Sequence, residues 1–188
     1  MLYDTKGERH PLRHTHSLSL VFASLKSLLL TVLWLVGAVC APGAERPGNS
    51  LPEDVARALR SATRVTLFSL DPAIDAGVSK DPHARLVHWR ILGQTELLAN
   101  QQRQTAITTL AEAIENFDGR VARCFEPRHA LRVRAARGTY DFVICFACNS
   151  VGVWQREKRV ATAGITGTQE PLDRILTAAK VPLAKSHR

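Results

Sequence analysis

No glycine-rich phosphate loop, no nucleophile elbow and no metalloprotease helix motif occurs among the 188 residues. The chemistries that those local signatures carry therefore have nothing to rest on. No internal repeat is visible, which sets solenoid and propeller architectures aside. Only one C-x2-C is present, where the strong zinc signature has two. Acidic residues are scarce between 120 and 137: Glu126 stands alone against Arg120, Arg123, Arg128, Arg132, Arg134 and Arg137. Exposed aromatics, on which single-stranded nucleic acid would stack, are missing from that arginine stretch, so no nucleic-acid partner is expected.

Charge of either sign is absent from Ser27 to Cys40, in "SLLLTVLWLVGAVC". A polar lead with four cationic side chains precedes this run, and "APGAERPGNS" comes directly after it. A basic lead, an apolar segment and a small-residue exit read as a secretory signal. The same run, extended back to Ser17, is just long enough to be an uncleaved anchor with the cationic N-terminus left in the cytoplasm. Cys40 is also a candidate for lipidation, although Val39 stands where Gly or Ala usually precedes such a cysteine. All three readings export the remainder of the chain to a periplasmic or membrane-anchored position. Residues 1–40 are thus read as signal peptide or anchor, forming an apolar helix ahead of the domain. Residues 41–49 are read as a linker, 50–184 as one domain and 185–188 as a tail.

A hydrophobic content of 45% gives that domain enough apolar side chain for a core. The formal net charge of +8 favours anionic surfaces in general. "SLPEDVARALRSA" predicts a short helix opened by a capping box of Ser50 and Glu53. "RVTLFSL" and 86–97 predict strands, the second bent at Gly93. Residues 100–117 keep a 3.6-residue apolar spacing through Ile107, Leu110, Ala111, Ile114 and Phe117, with Asn100 as cap. Strands are predicted at 120–126, 130–136 and 139–147, with one or two more before a closing helix in "QEPLDRILTAAK". Short links between strands require antiparallel pairing. The expected class is α+β: an antiparallel sheet of about five to seven strands with helices packed mainly on one face.

The candidate chemistry is concentrated in "CFEPRHALRVRAARGTYDFVICFACNSV". Cys124, His129, Cys145 and Cys148 have the atoms of a Cys3His zinc site, spaced C-x4-H, x15, C-x2-C. A continuous strand through 148 would point Cys145 and Cys148 to opposite faces, so one metal could take both only if the chain turns at "CFAC". Export favours oxidation, and a disulfide from Cys124 to Cys145 or Cys148 would staple the hairpin and leave one thiol over. A Cys145–Cys148 redox pair matches thioredoxin in spacing only, since a strand-like stretch comes after it where thioredoxin has a helix. Cys124, His129 and Asp141 are the residue types of thiol catalysis, but closeness in sequence does not supply aligned geometry. Arg132 and Arg134 share one strand face. The two form a solvent-facing cationic ridge, and with Arg128 they are the candidates for meeting an anionic membrane surface or an acidic polymer, the alternative being a simply solvated face.

The strings "LFSLDP", "RILGQTEL", "CFEPRHALR" and "DFVICFACNSV" resemble a group of uncharacterised bacterial exported, lipoprotein-like proteins. The specific part is C-F-x-P-R-H (Cys124, Phe125, Pro127, Arg128, His129) and I-C-F-x-C (Ile144, Cys145, Phe146, Cys148). The resemblance implies export and no known activity. The leading expectation is a non-enzymatic exported or membrane-tethered domain with a structural cysteine cluster. The alternatives are a zinc-binding module and a thiol-dependent enzyme.

Overall fold

The computed structural model describes residues 49–73 and 84–185, all within one compact unit, Arg46–Arg188. The apolar segment, Cys40 and nearly all of the predicted linker lie outside the described residues, as do the last three residues of the predicted tail. Among the described residues three helices and seven strands form: α1 Glu53–Arg60, β1 Arg64–Leu70, β2 Arg85–Leu86, β3 Trp89–Glu96, α2 Asn100–Glu115, β4 His129–Ala135, β5 Gly138–Cys145, β6 Ser150–Gln155, β7 Lys158–Gly164 and α3 Glu170–Ala178. The strands make one sheet in the order β2-β3-β1-β4-β5-β6-β7, with every paired neighbour antiparallel. The α+β class is met, with a sheet at the upper end of the expected size.

Side-chain alternation gives the sheet two apolar faces. On one, Val65, Leu67, Leu131, Val133, Phe142, Ile144, Val151 and Val153 pack against Val55 and Leu59 of α1, Ile107, Leu110 and Ile114 of α2, and Leu172 and Leu176 of α3. Each fully buried Leu or Phe there stabilises the fold by about 1.5–3 kcal/mol. On the other face a smaller cluster joins Phe68, Leu70, Leu86, Trp89, Ala130, Val143 and Trp154, with Phe125 packed against it.

Local chemistry explains the turns. Ala135 pairs with Gly138, closing the β4–β5 hairpin over Ala136–Arg137, with Gly138 at φ 131°. The β6–β7 hairpin turns on Arg156 and Glu157, both left-handed (φ 49° and 64°), as a two-residue turn between twisted strands requires. The bend expected in 86–97 is two features. A tight turn at Val87–His88 splits the stretch into β2 and β3. A bulge then sets Ser69 opposite Gly93 and Leu70 opposite Ile91. Gly93 is where the C-terminal segment crosses, since a Cβ there would lie 2.8 Å from Val181 Cγ1.

Three expectations change. Residues 120–126 form no strand; they run as a loop between α2 and β4. Ser50 does not cap α1, whose N-cap is Pro52 with its carbonyl accepting from Ala56 N–H at 2.9 Å, and Glu53 instead pairs with Arg57. Asn100 lies inside α2 rather than capping it, and its Oδ1 accepts from Arg103.

Candidate functional site

The apolar run of β5 ends at Cys145, which pairs across to Ser150. Between them the chain turns. Cys148 N–H donates to the Cys145 carbonyl and Asn149 N–H to that of Phe146, both at 3.2 Å. Asn149 completes the reversal in the left-handed region at φ 52°, which asparagine tolerates better than most side chains. The turn brings both sulfurs to one side, where Cys145 and Cys148 form a disulfide with Cα atoms 5.2 Å apart. The expected split across two strand faces does not occur, because the strand stops before Cys148.

The loop that leads into β4 is clamped onto this turn. Ala122 N–H donates to the Cys148 carbonyl at 3.1 Å, and Glu126 N–H to Cys148 Sγ at 3.3 Å. Cys145 Sγ lies 3.4 Å from the Glu126 carbonyl oxygen. Among the described residues Cys124 is the remaining thiol, exposed, with its Sγ 3.2 Å from Cys148 Sγ. The disulfide partners therefore differ from the expected Cys124 bridge, but all three sulfurs meet. One residue on, Phe125 sets its ring edgewise to Trp89 at 5.5 Å and near Trp154 at 6.4 Å, seating the loop on the smaller core.

His129 faces the other way. It opens β4 on the helix-covered face, alternating with Leu131, whereas Cys145 alternates with Val143 on the opposite face. The His129 Nε2 lies 2.8 Å from Asp173 Oδ1 on α3, and the other carboxylate oxygen accepts from Gln169 Nε2 at 2.9 Å. An ionised carboxylate only accepts, so Nε2 carries the proton. Burial raises the Asp173 carboxyl pKa; the His129 hydrogen bond and electrostatic attraction, the Gln169 hydrogen bond and the Arg128 charge outweigh it and leave the group below its ordinary value. Ser69 stands directly across from His129 on β1. Its Oγ and His129 Nδ1 are both buried and without a partner, and the two residues are 1% and 2% exposed.

The Cys3His donor set is thus not assembled. Two sulfurs are bonded to each other, and the imidazole sits on the far side of the sheet, engaged by Asp173. Among the described residues no group of three or more His, Cys, Asp or Glu is placed to hold a metal ion. The same separation keeps Cys124 and His129 from acting as a thiol–imidazole pair, and Asp141 is committed elsewhere.

That commitment is to Arg132. The Arg132 Nε and Nη2 donate to the two Asp141 oxygens at 2.7 and 3.0 Å, and the guanidinium lies 5.5 Å from the Phe68 ring centre. The Asp141 hydrogen bond raises the Arg132 pKa against the effect of burial. The pair lies in a polar pocket of about 380 Å³ that Arg85, Gln94 and Glu157 also line. Arg134 shares that strand face and is exposed, while Arg128 acts on Asp173 at the opposite end of β4. Arg128 thus stands apart from Arg132 and Arg134, which share one face of β4. Exposed cations gather instead where the β4–β5 and β6–β7 turns lie side by side: Arg134, Arg137, Arg156, Lys158 and Arg159.

Sequence reasoning missed Asp173 and Ser69, and missed Asp141 as the partner of Arg132. The Arg132–Asp141 pair had a signal, since a hairpin turning at 136–137 sets the two opposite each other. The others had none, because Asp173 lies 44 positions from His129. No protein-family model, no curated protein and no solved structure matches this chain.

Proposed function

We propose that this chain is an exported or membrane-tethered, non-enzymatic domain whose cysteine cluster is structural and which meets an anionic membrane surface through its basic end. The observation that carries the reading is the Cys145–Cys148 disulfide in the β5–β6 turn. Such bonds form and persist in oxidising compartments and are rare in the cytosol. It agrees with the uncharged run from Ser27 to Cys40 and with the likeness to bacterial exported proteins. The non-enzymatic reading is supported by His129 being sealed against α3 while Cys124 lies in a loop beside the Cys145–Cys148 disulfide, whose Cys145 faces the other side of the sheet. The partner is supported by the exposed arginines and lysine at the paired turns, since each cation near an anionic bilayer contributes about 1 kcal/mol.

Two measurements test it. Cell fractionation should place the chain outside the cytoplasm, anchored or periplasmic; a cytosolic chain contradicts export. Vesicles of phosphatidylglycerol should bind the purified chain at low salt while phosphatidylcholine vesicles do not, and replacing Arg137, Arg156 and Lys158 with Glu should abolish that binding. Equal binding to both lipids contradicts the anionic partner.

A further inference from the structure

Cys124 is the exposed member of a sulfur trio whose other two members are sealed. Cys145 and Cys148 are 1% and 0% exposed, so a solute has no direct path to the bond between them. Cys124 reaches solvent, and its sulfur lies 3.2 Å from Cys148 Sγ, closer than van der Waals contact of two sulfurs. Thiol–disulfide exchange needs a thiolate to reach a disulfide sulfur, and its rate depends on access. Here access from outside and proximity to the inner bond belong to one residue. We propose that Cys124 is an exchange cysteine, the site at which a small thiol or disulfide compound engages the domain and through which the buried Cys145–Cys148 bond is opened and formed.

The first step consumes no oxidant or reductant. The Cys124 thiolate attacks Cys148 Sγ, the Cys124–Cys148 bond forms, the Cys145–Cys148 bond breaks, and its electron pair leaves on the Cys145 sulfur. The proton that Cys124 gave to water is replaced by one taken up at Cys145. The resulting S–H faces the Glu126 carbonyl oxygen 3.4 Å away, an acceptor that the bonded sulfur cannot use. The disulfide now includes an exposed sulfur. A small thiol attacks Cys124 Sγ, forms a mixed disulfide there and releases Cys148 as thiolate beside the Glu126 N–H, 3.3 Å from its sulfur. A second thiol molecule takes the first off Cys124. Two thiol molecules have then become one small disulfide, and Cys145 and Cys148 are both reduced. Run backwards with a small disulfide as oxidant, the same steps form the inner bond. The loop bonds from Ala122 and Glu126 to Cys148 hold Cys124 in register for the attack.

The test uses the oxidised full chain with glutathione as the thiol. Aliquots are quenched with acid, alkylated with N-ethylmaleimide and mapped by peptide mass, which separates residues 124–128 from 138–156 after tryptic cleavage. Replacing the exposed Cys124→Ser should slow glutathione opening of the inner disulfide by at least about tenfold, since the attacking sulfur is gone. In a second arm no variant is needed. The oxidised wild-type chain, incubated without added thiol at alkaline pH and then trapped, should carry part of its label on Cys145 with Cys124 bonded to Cys148. Opening of the C124S chain at the wild-type rate overturns the proposal, and so does label confined to Cys124 at every incubation time.

Discussion

His129 Nε2–H donates to Asp173 Oδ1 at 2.8 Å and ties the first residue of β4 to α3 through the core. Replacing Asp173→Ala leaves a buried imidazole N–H without its acceptor, which costs about 1–3 kcal/mol. Urea unfolding at neutral pH should show that loss. The pH dependence has a definite sign. The Asp173 pKa is lowered on folding, so its contribution is complete above the ordinary unfolded value of about 3.9 and disappears as pH falls through the lower folded value. The stability gap between wild type and D173N should therefore close on acidification below about pH 4. A gap that persists unchanged there contradicts the assignment.

Arg132 and Asp141 meet through two parallel hydrogen bonds, a geometry lysine cannot reproduce. The Arg132 side chain is 36% exposed, so solvent screens part of the interaction. Arg132→Lys should lower stability by about 1 kcal/mol and D141N by a similar amount. The double variant should cost less than the sum of the two, because each single change already breaks the same contact. Strict additivity in a double-mutant cycle would contradict a direct pair.

Gly152 is the resting place of the Trp154 ring: a Cβ at 152 would lie 2.4 Å from Trp154 Cη2 and Cζ3. Gly152→Ala should push the indole off β6, away from Trp89, whose ring centre lies 5.7 Å from that of Trp154. Overpacking of this kind costs about 1–3 kcal/mol. A change in tryptophan fluorescence should accompany the lower stability. An unchanged emission spectrum with unchanged stability would show that the ring does not lie there.

Much of this architecture was legible because it is local. The 3.6-residue spacing in α2, the closing helix and the turn after Ala135 depend on neighbours in sequence. Residues 120–126 misled because Val121 and Phe125 read as strand side chains, yet Val121 is 56% exposed and Phe125 serves as a loop anchor against Trp89. The apolar run "ICFAC" concealed a turn whose reversal depends on one left-handed residue, Asn149. His129 was visible as a candidate, but which face of β4 it takes is decided by α3, more than forty residues away.

The Cys145–Cys148 ring spans a sequence separation of three, so it restricts the unfolded chain less than a long loop would. On the chain-entropy model a closure this short contributes about 2 kcal/mol. In a C124S background, where no other described cysteine can re-pair, the reduced chain should unfold about 2 kcal/mol more easily than the oxidised one. Equal denaturation midpoints would remove the structural role of the bond.

The proposed export rests on the oxidised turn between β5 and β6. Mass mapping of the protein taken from cells by rapid acid quench, alkylated before any reduction, tests it most directly. The predicted result is a chain recovered outside the cytoplasm with two of Cys124, Cys145 and Cys148 joined and the third alkylated, the joined pair being mainly Cys145 and Cys148. A cytosolic chain with all three cysteines alkylated would contradict it.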